Sequence, residues 1–442
     1  MSELATDHNS IRRAVAASAM GNCIEWYDFG VFGFMPAVLG AVFFDAATPT
    51  ENVLGTFAVL AVAFIARPFG GFVFGPLGDR VGRRRVLATT IVLMSGSTFA
   101  IGLFPSYQTA GVLTPILVLL ARLVQGFSAG GEYGGAATFM AEYAPDRKRG
   151  FLGSWLEFGS LGGYLLGAGV VTATTIALGE DAMASWGWRI PFLLAGPLGL
   201  VGLYLRTRLE DTPLFQEART EDRLESSPLK TVLRTQWRPI LHLIGYIILL
   251  NIADYVMLTY MESYLTTTLG LSGRTPLLVI MAVIAGMMAL VGPVGALTDR
   301  IGRKPLLYAA CAGFLALPIP AFTLMRTGGT VPLVLGLVLI AVPLTFLLAT
   351  IPSVLPAMFP TTVRYGAFAI GYNMSTALFA GTAPYIVTKL VDATGNPMVP
   401  AYYLMVAALI AAVPIHLLPE TAGRSLREAA DSTPVPAKAP VN

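Results

Sequence analysis

The chain has 442 residues, of which 55% are hydrophobic and only 12% charged, with a formal net charge of +3. Soluble domains carry roughly 25% charged residues, so a soluble globular protein of this size could not cover its surface. The composition excludes that class and makes the lipid bilayer the expected solvent.

Taken in chain order, Ser2 to Arg13 are polar and lack the apolar core and small-residue cleavage site of a removable signal peptide. Residues 1–13 are expected to be a cytoplasmic segment leading into a retained spanning helix. Such a helix needs about 20 mostly apolar residues. Twelve segments qualify: about 14–40, 52–77, 85–105, 113–141, 151–177, 187–205, 239–267, 276–297, 305–325, 331–358, 365–389 and 399–418. They predict an all-α integral membrane fold, with six-helix bundles over 14–205 and 239–418 joined by a polar cytoplasmic loop over 206–238. The Pro/Ala-rich tail, 419–442, is expected to be cytoplasmic and disordered. Cys23 and Cys311 lie in separate apolar runs and indicate neither a disulfide nor a metal site.

Lys and Arg placement sets the orientation. With the N-terminus inside, the cytoplasmic connections hold Arg12, Arg13, Arg80, Arg83 to Arg85, Arg147 to Arg149, Arg206, Arg208, Arg219, Arg223, Lys230, Arg234, Arg238, Arg300, Arg303, Lys304 and Arg364. The tail adds Arg424, Arg427 and Lys438, whereas the opposite face holds only Arg274, Arg326 and Lys389. Both termini are predicted to be cytoplasmic.

A charged motif occurs twice. Asp79-Arg80-Val81-Gly82-Arg83 matches Asp299-Arg300-Ile301-Gly302-Arg303 at an offset of 220 residues, about half the chain. Pro145-Asp146-Arg147-Lys148-Arg149-Gly150 is echoed by Pro360-Thr361-Thr362-Val363-Arg364-Tyr365. The chain therefore reads as two related halves, the arrangement of a two-bundle membrane transporter. The duplicated Asp-Arg-x-Gly-Arg argues for a specific latch beyond a positive-inside signal. Asp79 could accept from a nearby Arg or from an exposed helix N-terminus. The latch set is Asp79, Arg80, Arg83, Arg149, Asp299, Arg300, Arg303 and Arg364.

Glycines recur at four-residue spacing, among them Gly71 with Gly75, Gly126 with Gly130, and Gly159 with Gly163 and Gly167. Such pairs let helix backbones approach closely in lipid. The run Gly126 to Gly135 lacks the Lys-Ser/Thr ending of a phosphate loop. No ATP-hydrolysis motif appears, so the chain reads as no enzyme, and any pumping must draw on a gradient.

A charge at the centre of a spanning helix costs about 2.5–3.5 kcal/mol on insertion scales. The first segment nevertheless holds Asn22, Glu25 and Asp28 on one face, and the fourth holds Arg122, Gln125, Ala129 and Glu132 as one stripe. Arg67, Glu157, Asn251, Asp254 and Glu262 lie in other segments. Static ion pairs between helices are one explanation. The sharper one is that Glu25, Asp28 and Glu132 carry protons, because a carboxylate between burial and a nearby Arg can load and release one. His8, His242 and His416 all lie away from mid-membrane positions. Trp26, Tyr27 and Phe29, Tyr133, Tyr255 and Tyr260 flank these charges, and aromatic faces attract quaternary ammonium groups. The substrate-binding candidates are Trp26, Tyr27, Arg122, Gln125, Tyr133, Asn251, Asp254 and Tyr255.

The repeated motif resembles the signature of the major facilitator superfamily. Within it, Gly21-Asn22-Cys23-Ile24-Glu25-Trp26-Tyr27-Asp28-Phe29 is similar to the metabolite:proton symporter family. So are Gln125-Gly126-Phe127-Ser128-Ala129-Gly130-Gly131-Glu132-Tyr133 and Trp188-Arg189-Ile190-Pro191-Phe192. Ala141 to Trp155, Leu355 to Arg364 and Pro400 to Val406 resemble that family's proline/glycine betaine branch. The likeness covers roughly residues 14–420. It implies a proton-driven importer of zwitterionic osmoprotectants, with Asp79 and Asp299 in latches between the bundles. Asp254 and Glu262 depart from that branch, where uncharged residues are expected.

The expected protein is a multi-pass secondary transporter of the bacterial inner (cytoplasmic) membrane. It would import proline, glycine betaine or similar solutes with protons by alternating access. Its partners are the small zwitterion, the proton and the bilayer; no cofactor, metal or nucleic acid is expected, and no protein partner is indicated. One rival is a proton symporter of organic acids such as a dicarboxylate or shikimate, which would want two well-placed basic residues. The other is a sensor that binds solute without moving it.

Overall fold

The computed structural model describes residues 8–44, 48–207, 228–271 and 275–426, and all its regular secondary structure is helical. Most of the expected central loop and tail lies outside the described residues, with Arg208, Arg219, Arg223, Arg274, Arg427 and Lys438.

In the first half, α1 (His8–Gly33) meets α2 (Pro36–Phe43) at a 70° bend where Pro36 opens the second helix. Then α3 (Pro49–Val81) starts on a capping box. The Thr48 hydroxyl accepts from Glu51 N at 3.2 Å, and the Glu51 carboxylate accepts from Thr48 N at 3.1 Å. Next come α4 (Arg83–Ile101), α5 (Leu113–Tyr143), α6 (Arg149–Leu178) and α7 (Arg189–Thr207). The second half holds α8 (Trp237–Tyr246), α9 (Ile248–Tyr255), α10 (Thr275–Ile301), α11 (Lys304–Ala316) and α12 (Pro318–Arg326). It continues with α13 (Thr330–Val354), α14 (Arg364–Ser375), α15 (Ala383–Thr394) and α16 (Val399–Leu417).

The motif turns show why both repeats carry glycine. Gly82 between α3 and α4 has φ 103°, and Gly302 between α10 and α11 has φ 94°. L side chains rarely adopt that region, so the turn requires glycine in both copies.

Two seams join the halves: α3 runs along α14, and α6 runs along α10. Small residues bring the backbones together. A Cβ on Gly75 would lie 2.9 Å from Gly366 Cα across the first seam, and one on Gly150 would lie 2.6 Å from Gly295 O across the second. Within the first half, Gly159 and Gly163 of α6 press on α1, where a Cβ would come within 2.1 Å of Ala19 O and 2.3 Å of Cys23 O. Of the spans, Trp237–Thr268 is the most enclosed, with 78% of its apolar stretch buried against 33% for Thr275–Ile301. It therefore lies at the middle of the molecule.

Among the described residues, eight helices are long and apolar enough to cross a membrane, or ten if each bent pair is one span. Two of the twelve expected segments fall short. Segment 85–105 became α4, whose first turn holds Arg83, Arg84 and Arg85; these, more than its Ser and Thr residues, lower its hydropathy. Segment 365–389 is split near Gly381 into α14 and α15, each of 12 residues. Wider backbone turns of π type lie over Val256–Tyr260 after α9 and, at the same break near Gly381, over Thr376–Ala380 after α14.

One of the tightest backbone approaches gives a packing test. A Cβ on Gly126 would sit 1.8 Å from Ala63 O, while one on Gly96 meets nothing within 4 Å. Gly126→Leu should lower stability by about 1–3 kcal/mol or more, and Gly96→Ala should not. Melting temperatures of the purified protein in detergent measure both, and equal melting would contradict the α3–α5 contact.

Candidate functional site

A cavity of about 10 Å³ lies at the centre, where the halves meet. That is about the room one water needs. Trp26 of α1 and Glu157 of α6 line it from the first half; Asn251, Asp254 and Tyr255 of α9 and Tyr372 of α14 line it from the second. The π turns begin just beyond Tyr255 and shortly after Tyr372, and such turns recur at functional sites. Tyr133 reaches the cavity wall indirectly. Its hydroxyl donates to Glu157 Oε1 at 2.5 Å, and its ring stacks on Tyr372 with centroids 4.2 Å apart. Asn251 donates to Ser375 Oγ at 3.0 Å and accepts from Thr376 at 3.3 Å, fixing α9 against α14.

The other buried charges of the first half are paired off. Arg67 of α3 donates to Glu25 at 2.8 Å and to Asn373 Oδ1 of the second half at 3.2 Å. Asn373 in turn donates to Gly130 O at 2.6 Å. Asp28 accepts from Arg122 and from Gln125, each at 3.1 Å, and Gln125 also donates to Thr98 at 2.8 Å. The Arg122 guanidinium lies 3.7 Å over the Phe32 ring. Glu132 pairs with Arg206 and accepts from Thr90 at 2.7 Å.

Arg122 and Glu132 therefore do not act as one stripe. They meet partners on different helices: α5 packs on α3, α4 and α1, so Arg122 finds Asp28 of α1, while the long Arg206 side chain reaches Glu132 from α7. Glu25 and Asp28 likewise take separate arginines. Tyr27 points away from the cavity and donates to Pro191 O at 2.6 Å inside the first half. Arg122 and Gln125 are also outside the cavity lining.

At the end that carries the repeated motif, each aspartate caps a helix of the other half. Asp79 accepts from Gly366 N at 2.8 Å in the first turn of α14. Asp299 accepts from Gly150 N at 2.8 Å and Phe151 N at 2.9 Å in the first turn of α6. Those amides have no intrahelical acceptor, and the helix dipole favours an anion there. Glu142 bridges Arg83 at 2.7 Å and Arg364 at 2.9 Å, again across the halves.

The chain after α16 straps this face. Glu420 accepts from Arg303 N at 3.0 Å and Lys304 N at 3.1 Å, and the Arg303 side chain donates to Thr421 at 2.7 Å. Partial burial pushes the Glu420 carboxyl up, but the amides of Lys304, Ala422, Arg303 and Thr421 outweigh it and hold it below its ordinary value. Arg149 pairs with Asp146 and donates to Arg424 O, and Arg364 donates to Leu426 O. Arg80 and Arg300 are exposed and form no ion pair among the described residues.

A family model described as the Major Facilitator Superfamily matches residues 20–382. The chain belongs to the Major Facilitator Superfamily. It is a multi-pass membrane transporter and not an enzyme. It is 46% identical to the proline/betaine transporter of Salmonella typhimurium over 432 residues, covering 96% of this chain and 86% of that protein. It is 45% identical, with the same coverage, to the glycine betaine/proline/ectoine/pipecolic acid transporter OusA of Dickeya dadantii. Among solved structures, the proton:xylose symporter XylE bound to 6-bromo-6-deoxy-D-glucose matches with TM-score 0.79 and 18% identity. It covers 96% of this chain and 99% of that one, a likeness of fold.

Against this facilitator fold, sequence reasoning missed three residues. Glu157 stood out only as a charge in an apolar run. Tyr372 carried no signal beyond its polar neighbour Asn373. Glu142, the acid between Arg83 and Arg364, closes the fourth apolar run, where a charge reads as a helix end.

Removing one partner of a buried charge cluster leaves the others uncompensated, at about 3–5 kcal/mol. Glu142→Ala should therefore destabilise the protein by that order, while Arg80→Ala should not change it. Thermal unfolding of both variants in detergent measures this. Equal melting would mean that the Glu142 bridge carries no net stability.

Proposed function

We propose that this transporter imports zwitterionic compatible solutes, proline and glycine betaine among them, together with protons. The observation that carries the reading is 46% identity across 96% of the chain to a proline/betaine transporter. The cavity chemistry supports it. Two carboxylates and aromatic rings line the space, with no Lys or Arg, which suits an ammonium and opposes the dianion of an organic-acid symporter.

In this reading the chain spans the bacterial inner membrane twelve times as two six-helix bundles, over 14–205 and 239–418, with both termini and the motif face cytoplasmic. The cavity between the halves is the substrate site, and the bundles rock around it to alternate access. Glu25, Asp28 and Glu132 carry the proton, each released from its arginine when protonated. Asp79 and Asp299 are the latches that hold the cytoplasmic side shut, with Arg83, Arg149, Arg303 and Arg364 buttressing them.

Purified protein in proteoliposomes should accumulate proline and glycine betaine when the outside is made acidic. Glu25→Gln and Asp28→Asn should abolish that accumulation more severely than they reduce solute exchange. Normal accumulation by both variants under an imposed pH gradient would remove these carboxylates from coupling. Accumulation of 2-oxoglutarate with none of proline or betaine would replace the substrate assignment.

The latches have their own readout. Asp79→Asn weakens the acceptor at the α14 amide, a cap contribution of about 0.5–2 kcal/mol. The population should shift toward the cytoplasm-open state, and net uptake should slow. Cysteine-accessibility labelling should rise on the cytoplasmic face and fall on the other. Unchanged labelling on both faces would count against the latch.

A further inference from the structure

The fully buried carboxylates Glu25, Asp28, Glu132 and Glu142 each meet an arginine. The two that line the central cavity do not. Glu157, 3% exposed, is held by the Tyr133 hydroxyl. Asp254, 7% exposed, makes no hydrogen bond or ion pair among the described residues. Two carboxylates facing one small space without a cation are unfavourable there, and a positive group between them would relieve both. The same cavity presents two donors without acceptors. Trp26 Nε1 and the Tyr255 hydroxyl are buried and unpartnered, although buried polar groups ordinarily find partners. Arg67 Nη1 is unpartnered as well, one layer behind, where its guanidinium sits 5.2 Å from the Phe64 ring. Phe64 packs edge-on against Tyr255 at 5.0 Å.

We propose that the walls of this cavity, which here leave room for about one water and must part to admit a solute, form a two-pole site for the zwitterion: Glu157 and Asp254 hold its ammonium, while Trp26 Nε1–H and the Tyr255 O–H donate to its carboxylate. This deepens the function proposed above and rests on it. The Trp26 and Tyr255 rings, with centroids 6.0 Å apart, add apolar faces that suit a quaternary nitrogen. Each pole takes one residue from each half. Glu157 faces Asp254 across the interface, and Trp26 faces Tyr255. A bound zwitterion therefore ties the halves together at both of its ends, which makes binding favour closure of the halves around it. The ammonium contact thus lies apart from Glu25 and Asp28, which pair with Arg67 and Arg122 and are left for the proton.

Titration calorimetry on the purified full chain tests the site with glycine betaine, proline, choline and 2-oxoglutarate. Asp254→Asn and Glu157→Gln should each weaken betaine and choline by about thirtyfold, the loss of one buried charge contact. Trp26→Phe keeps a ring but removes the N–H. It should weaken betaine about fivefold and spare choline, which has no carboxylate. Glu262→Gln, on the same span but outside the cavity, should change nothing. Wild-type binding of betaine with no loss in either acid variant would overturn the acid pole while leaving the proposed function standing, and so would failure of the wild type to bind choline. Equal weakening of betaine and choline by Trp26→Phe would overturn the donor pole. Tight 2-oxoglutarate binding with no response to betaine or proline would overturn the functional reading itself, and the site with it.

Discussion

A charge inside hydrocarbon must meet its counter-charge within the protein, since no water is there to solvate it. The first half is organised by that constraint. Glu25 with Arg67 ties α1 to α3, Asp28 with Arg122 ties α1 to α5, and Glu132 with Arg206 ties α5 to α7. Such pairs contribute little net stability, because desolvation offsets most of their attraction. What they do fix is which face of each helix meets which neighbour. A single exchange of partners would leave a lone charge in the apolar interior. Close glycine contacts then allow the helices to approach far enough for these short side-chain bonds to form. The central cavity is where the pairing rule is broken, with two acids and no base, and it is the place where a ligand's charge would complete the structure.

The repeat expresses a second constraint, on closure. A helix that begins at the interface presents amides without acceptors, and an aspartate from the opposite half satisfies them. The two copies are reciprocal: α3 supplies Asp79 to α14, and α10 supplies Asp299 to α6. Each seam thus ends in a cap, and parting the halves at this face exposes both sets of amides at once. The positive φ of Gly82 and Gly302 follows from the same geometry, because the turn must reverse directly after the capping aspartate.

The duplicated motif made this part of the fold legible from sequence, including the idea that Asp79 meets a helix N-terminus. Spacing along one helix could not say which helices are neighbours. Arg122 and Glu132 share a stripe in the sequence, yet their partners come from α1 and α7, elements nearly a hundred residues away from one residue and about seventy from the other. Hydropathy located ten of the twelve expected segments as helices, or bent pairs of helices, long and apolar enough to cross a membrane, and the other two are helices that fall short of that measure. Hydroxyls of α4 bond to Glu132 and Gln125, so the helix is polar for a structural reason. The chain near Gly381 breaks a run that composition alone reads as continuous. Arg80 and Arg300 belong to the motif by pattern, yet they face solvent, since their neighbours Asp79 and Asp299 turn inward.

The two halves are related in sequence but differ in polar chemistry. Away from the motif face, the first half carries the arginine–carboxylate pairs. The second half offers Asn251, Asn373, Ser375 and Thr376, and its cavity-lining helices α9 and α14 carry π turns. The first half is therefore held by charge, and the second by neutral hydrogen bonds with wider backbone turns, which rearrange at lower cost. One contact joins the two systems. Arg67, the counter-ion of Glu25, also donates to Asn373, and Asn373 is next in the chain to Tyr372 on the cavity wall. Neutralising Glu25 frees one arm of Arg67, and the other arm pulls on α14 beside the site. Proton and solute would then act on the same helix from opposite sides, which gives the proposed symport a physical route of two hydrogen bonds.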